Sequence, residues 1–142
     1  MESNGVTHGT IPVNLGEALG ANAGSAIQCF TVYIPNKDKT GSEIGNQRRW
    51  VLEAIDLLTS MNGGATALPV EGAWKNDLGT TIWEDPVVVY SFIKPEKFFD
   101  RLPEIRAFLH RMGRETNQGE VAFEFAERFY LIGTFDPPTS GV

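Results

Sequence analysis

Two tryptophans and three carboxylates fall within one short stretch: Glu71, Trp74, Trp83, Glu84 and Asp85. If Ala73–Lys75 pairs with Thr81–Trp83 across the turn at Asn76–Gly79, a hairpin gathers them into one place. Two indoles beside carboxylates suit a cationic or sugar-like ligand. An apolar wall also raises the pKa of a carboxylic acid, which fits it for proton transfer. Glu71 and Glu84 are the candidate acid/base groups here. Strand pairing can place Trp74 and Trp83 on one face as a two-walled slot, and alternation returns Asp85 to the side of Trp83. The plainer alternative is that the tryptophans pack while the carboxylates are solvated hairpin charges.

A second concentration of polar side chains is Arg111, Arg114, Glu115, Thr116, Asn117, Gln118 and Glu120. It joins a helix end to a strand, and loops held by rigid elements often carry function. Arginines favour an anion there and the helix C-terminus disfavours one, so the charges select no ligand. A solvated connection with Arg/Glu pairs would look the same. Arg111, Arg114, Asn117 and Gln118 are kept as candidate ligand-binding residues. His110 is a third acid/base candidate, although a histidine beside the buried stripe of a helix is an ordinary surface residue.

Other chemistries lack their residues. His8, His110 and Cys29 are the only soft donors and stand far apart, so no metal site is expected. No Gly-x-Ser-x-Gly stretch or Cys/His pair offers a nucleophile, and no glycine-rich stretch ends in Gly-Lys-Ser/Thr. No cofactor is expected.

The elements that must hold these residues centre on Ile82–Ile93. From Val87 onward its residues are β-branched or aromatic at nearly every position, which reads as a buried strand. Val87, Val89 and Ile93 share one face, and Val88, Tyr90 and Phe92 share the other. Both faces are apolar, so both need a cover. Ala26–Ile34 is a second strand, ended by Pro35. A helix is expected from Asn46 to Met61, stopped by Asn62-Gly63-Gly64. Thr66–Trp74 is a weak strand, broken by Pro69 and Gly72, and Pro86 delays the firm part of the central strand. Phe98, Leu102, Ile105, Leu109 and Met112 mark a second helix after Lys94-Pro95, and Pro103 should kink or restart it. Glu120–Phe125 and Phe129–Ile132 read as two strands joined by a tight turn.

The order β-α-β-β-α-β plus one strand predicts an α+β fold of ferredoxin-like (split βαβ) type. That is an antiparallel sheet with two helices on one face, an extra C-terminal strand and an N-terminal arm. The expected organisation is a flexible or docking arm over 1–25, a single domain over 26–132 and a tail over 133–142. Helices cover one face of the central strand. A second subunit, or else the arm, is expected to cover the other.

With 142 residues, a net charge of −6 and one cysteine, the chain suits neither a disulfide scaffold nor non-specific nucleic-acid or membrane binding. No stretch reads as a signal peptide or a membrane span, so a cytoplasmic location is expected by elimination. The leading functional expectation is a non-catalytic domain binding a protein or small ligand, as a homodimer. The alternative is a cofactor-independent isomerase or oxygenase with a pocket between sheet and helices. RNA binding on an exposed sheet fits the acidic balance least.

Overall fold

A computed structural model describes residues 5–8, 11–22, 24 and 27–139. Alternating residues in β3 (Cys29–Ile34) bury Phe30, Val32 and Ile34, while Cys29, Thr31 and Tyr33 face the other way. The strand begins at Cys29; Ala26, its expected first residue, lies outside the described residues. Helix α2 (Gln47–Asn62) follows a long loop and turns Trp50, Val51, Ala54, Leu58 and Met61 inward. Asn46 stands at its N-cap but makes no side-chain cap bond, and Gly63 closes it at φ 90°, where a Cβ would be strained.

The weak strand is two strands, β4 (Thr66–Pro69) and β5 (Gly72–Lys75). Pro86 likewise divides β6 (Thr81–Glu84) from β7 (Val87–Phe92), because proline offers no N–H to a ladder. The second helix is divided too. Helix α3 (Pro95–Asp100) stops at Arg101 and α4 (Leu102–Glu115) restarts with Pro103 in its first turn, where the missing N–H costs little. Phe98, Ile105, Leu109 and Met112 keep one inward face across the break, while Leu102 is left exposed beside it. Strands β8 (Val121–Phe125) and β9 (Arg128–Ile132) meet at Ala126-Glu127, whose φ values of 52° and 63° make a hairpin turn of the kind glycine and asparagine favour.

Five strands form one antiparallel sheet in the order β4-β7-β3-β8-β9. The α+β class read from the sequence is therefore observed, with helices α2 and α4 packed on one face. Val89 and Ile93 point to that face and are buried with Val32, Ile34, Trp50 and Met112. Ser91 lies there as well, its hydroxyl accepting from Asn62 Nδ2 at 3.0 Å and donating to the Gly64 carbonyl, which ties the end of α2 to β7. Val88 and Tyr90 are half-buried and Phe92 exposed on the open face. In the arm, β1 (Gly5–His8) pairs with β2 (Ile11–Asn14) as a separate ribbon, followed by the single turn α1 (Leu15–Ala18). Within the expected arm, Ala23 and Ser25 lie outside the described residues. So do the last three residues of the tail.

Candidate ligand-binding cleft

The open face of the sheet carries a cleft of about 720 Å³. Its floor is Tyr33 of β3 with Ala122, Phe129 and Leu131 of the β8–β9 hairpin. The β5–β6 hairpin forms one wall, and the loop after β3 with Gln118–Glu120 forms the other. Hydrogen bonds hold these walls. Gln47 Nε2 donates to the carbonyls of Ile34 (3.2 Å) and Asp85 (2.9 Å), and Lys37 Nζ donates to the Trp83 carbonyl at 2.8 Å. Asn36 Oδ1 accepts the Asp85 N–H at 2.9 Å. Across the cleft, Gln118 Nε2 donates to the Lys37 carbonyl at 2.8 Å, and the Lys39 N–H donates to the Asn117 carbonyl at 3.0 Å.

Aromatic and apolar surface comes from Trp74, Phe129, Leu131, Val70, Pro35 and Pro86. Four carboxylates stand around it, Asp38, Glu71, Glu84 and Glu120, against one cation, Lys39. The Asp38 carboxylate accepts from the Thr40 hydroxyl (2.6 Å) and N–H (2.8 Å) and from the Ser42 N–H (3.1 Å). Those bonds, the hydroxyl first, hold its pKa below the ordinary carboxylate value, so it is anionic at neutral pH. On the floor the Tyr33 hydroxyl donates to the Glu124 carboxylate, a bond that, with burial and the adjacent negative charge, pushes the phenol up to about 12. The field inside the cleft is negative, and its walls present π-surface. Such a site attracts a flat cation.

The structure separates several of the residues the sequence grouped. In the β5–β6 register Trp74 stands opposite Ile82 and Trp83 opposite Ala73. Cross-strand partners share a face, so the two indoles lie on opposite faces and the expected slot does not form. Trp74, Glu71 and Glu84 line the cleft; Trp83 and Asp85 do not, and Trp83 is 59% exposed on the hairpin's other side. The second polar group also divides. Arg111 bonds Glu53 at 2.7 Å and lies over the Trp50 ring, and Arg114 donates to the Asp136 carbonyl. Thr116 is buried against the Met112 carbonyl, while Asn117 and Gln118 brace the cleft's loop wall. His110 is buried in the helix layer, on the far side of the sheet from Glu71 and Glu84, so the three acid/base candidates are not one constellation. Tyr33 and Glu124 were not singled out from sequence. The only signal was a carboxylate inside an apolar strand, and its partner stands 91 positions away.

Among the described residues no group of three or more His, Cys, Asp or Glu is placed to hold a metal ion, and no helix is long and apolar enough to cross a membrane. No protein-family model matches the chain, and no curated protein matches it. Two solved structures share its fold. A phage SAM lyase in complex with S-methyl-5'-thioadenosine superposes with a TM-score of 0.52 at 12% identity, covering 80% of this chain and 94% of that one. A phage SAM lyase in the apo state gives 0.52 at 16% identity, covering 75% and 89%. At such identities the likeness is one of fold: a mixed α+β chain with an antiparallel sheet is similar to these lyases.

Proposed function

We propose that the open-face cleft binds a flat, positively charged nucleoside of the S-adenosyl sulfonium type. The observation that carries this reading is the charge and shape of the cleft. Asp38, Glu71, Glu84 and Glu120 surround aromatic walls, with Lys39 the one cation. A sulfonium cannot be neutralised by losing a proton, so a fixed negative field suits it, and an adenine ring suits Trp74 and Phe129. The volume falls in the usual range of small-molecule sites. The ligand class is suggested by the S-methyl-5'-thioadenosine held by a lyase of similar fold.

A lyase acting on such a sulfonium is the second reading, favoured by that same fold likeness. Carboxylates that only stabilise the cation hold the ground state as well as the transition state and do not accelerate its loss. Elimination is accelerated by a base. A carboxylate of Glu71, Glu84 or Glu120 would take the proton from the carbon next to the sulfur-bearing one. The C–H electrons then form the double bond, and the C–S pair leaves on a neutral thioether. Titration calorimetry with S-adenosylmethionine and S-methyl-5'-thioadenosine tests the first reading, and mass spectrometry of the incubated mixture tests the second. Binding of neither compound at millimolar concentration would end both. Binding with no thioether product would leave a non-catalytic ligand-binding domain.

The strand order β4-β7-β3-β8 with helices on one face supports a ferredoxin-like, split βαβ reading, extended at one edge by β9. We also propose that the chain is a homodimer through its open face. Leu68 and Phe92, which the cleft does not use, are each more than half exposed there. A second copy on that face would also close the cleft from outside. Light scattering at micromolar concentration decides it, and a monomeric mass would remove the assembly without touching the ligand.

A further inference from the structure

The helix-covered side of the sheet holds a second cavity, of about 640 Å³, between α3–α4 and the hairpin β8–β9. It exists because β9 adds a strand beyond the two-helix layer. Flat rings line it. Phe98 stacks on Phe125 with centroids 5.6 Å apart and planes 15° apart, and Phe123 stacks on Tyr130 at 4.8 Å and 10°. Among the described residues, only Arg106 and His110 bring polar side-chain atoms to the wall apart from the Tyr130 phenol.

Those two side chains are donors. His110 is 7% exposed, and its Nδ1 accepts the Asp136 N–H at 2.8 Å. A ring accepting through Nδ1 carries its hydrogen on Nε2. Nε2 has no acceptor among the described residues and is not sealed from solvent, so a ligand oxygen can reach it. Arg106 gives Nε and Nη2 to Asp136 at 2.8 and 2.9 Å, which leaves Nη1 without a described partner. Two donors at one side of an aromatic-walled cavity fit one arrangement of ligand.

We infer that this cavity is a binding site for a flat aromatic carboxylic acid, its ring against Phe98 and Phe125 and a carboxylate oxygen on His110 Nε2 beside Arg106. The site lies on the other face of the sheet from the acidic cleft and does not depend on the reading of that cleft. A carboxylate would be repelled by Glu71, Glu84 and Glu120, so the two sites sort ligands by charge.

The test uses 2-naphthoate as probe and 2-naphthalenemethanol as its uncharged counterpart, titrated by calorimetry into the full chain. Naphthoate should bind at least about tenfold more tightly than the alcohol, the usual size of one charge-assisted hydrogen bond. His110→Phe should remove that difference and leave the alcohol unchanged. Because His110 also holds Asp136, Leu102→Trp is a second variant: it keeps the histidine, fills the exposed mouth and should abolish binding of both probes, with circular dichroism reporting an intact fold. Trp74→Ala in the cleft should change neither affinity. Equal affinity for the two probes would overturn the proposal. So would naphthoate affinity unmoved by both pocket variants, or lost in Trp74→Ala. A drop in molecular mass for Leu102→Trp would overturn it as well, by giving the cavity to a second copy of the chain.

Discussion

The two faces of the sheet are built from alternate residues of the same strands, yet they differ in nearly every physical respect. Toward the helices, Phe30, Val32, Ile34 and Val89 are sealed from water. Away from them, Tyr33 and Glu124 form a polar pair amid Phe92, Phe129 and Leu131, which stand exposed. Apolar residues at both parities do not make both faces a core; the helices decide which one becomes one. Substitutions at neighbouring positions of β7 break this comparison most sharply. Val89→Asp puts a charge where exposure is 0% and should cost more than about 4 kcal/mol, leaving little folded protein in a urea titration. Val88→Asp, one residue away on the open face, should cost no more than about 1.5 kcal/mol. If the open face joins two copies, it should also give a monomer in light scattering.

The helix face extends to the tail through one close contact. An added Cβ on Gly113 would stand 2.2 Å from the Phe135 ring, so that ring lies where any other residue's side chain would be. Gly113→Ala must displace Phe135 and, with it, Asp136, which Arg106, His110 and Arg114 hold. Overpacking of this kind costs about 1–3 kcal/mol, and thermal denaturation should show it. Phe135→Ala combined with Gly113→Ala should recover the part of the loss that comes from the clash. An additive double variant would mean that the ring does not need the glycine.

Period and punctuation made the elements legible. Three-and-four spacing marked the helix after Lys94-Pro95, Pro35 and Asn62-Gly63-Gly64 marked the ends of β3 and α2, and prolines 86 and 103 marked real interruptions, since a missing N–H acts locally. Register was not legible. Whether Trp83 shares a face with Trp74 depends on a shift of one residue across a hairpin, and one residue reverses the face. The sequence grouped Arg111–Glu120 by proximity along the chain. A helix end fans successive side chains about its axis, so Arg111 reached α2, Arg114 the tail and Gln118 the cleft. Tyr33–Glu124 needed the β3–β8 pairing, a long-range contact that no local pattern carries.

The hairpin offers a smaller version of the two-face comparison. Trp74 lines the cleft and Trp83 lies on the other side of the same ribbon. Trp74→Ala should weaken S-methyl-5'-thioadenosine about tenfold, the usual worth of one aromatic wall, whereas Trp83→Ala should change it less than twofold. Titration calorimetry checks both. Equal losses would place the ligand across the ribbon rather than in the cleft.

The smallest effect expected is a proton's, and it tests whether the open face has chemistry of its own. Tyr33 is pushed up to about 12 chiefly because its hydroxyl donates to Glu124, and an ionised phenol would both lose that bond and meet the carboxylate's charge. A folded-state pKa above the unfolded value of 10.0 means that between pH 10 and 12 the native chain holds a proton the unfolded chain has released. Stability from this pair is therefore complete below pH 10 and is lost as pH rises through 12. Absorbance near 295 nm should show a late phenol titrating near 12. Glu124→Gln removes the charge and keeps an acceptor, so the late phenol should move down part of the way without unfolding. Glu124→Ala should move it at least as far and flatten the alkaline loss of stability. An unchanged late phenol in both variants would mean that burial, rather than the carboxylate, sets its pKa, and the floor of the cleft would then be no more polar in character than the helix face.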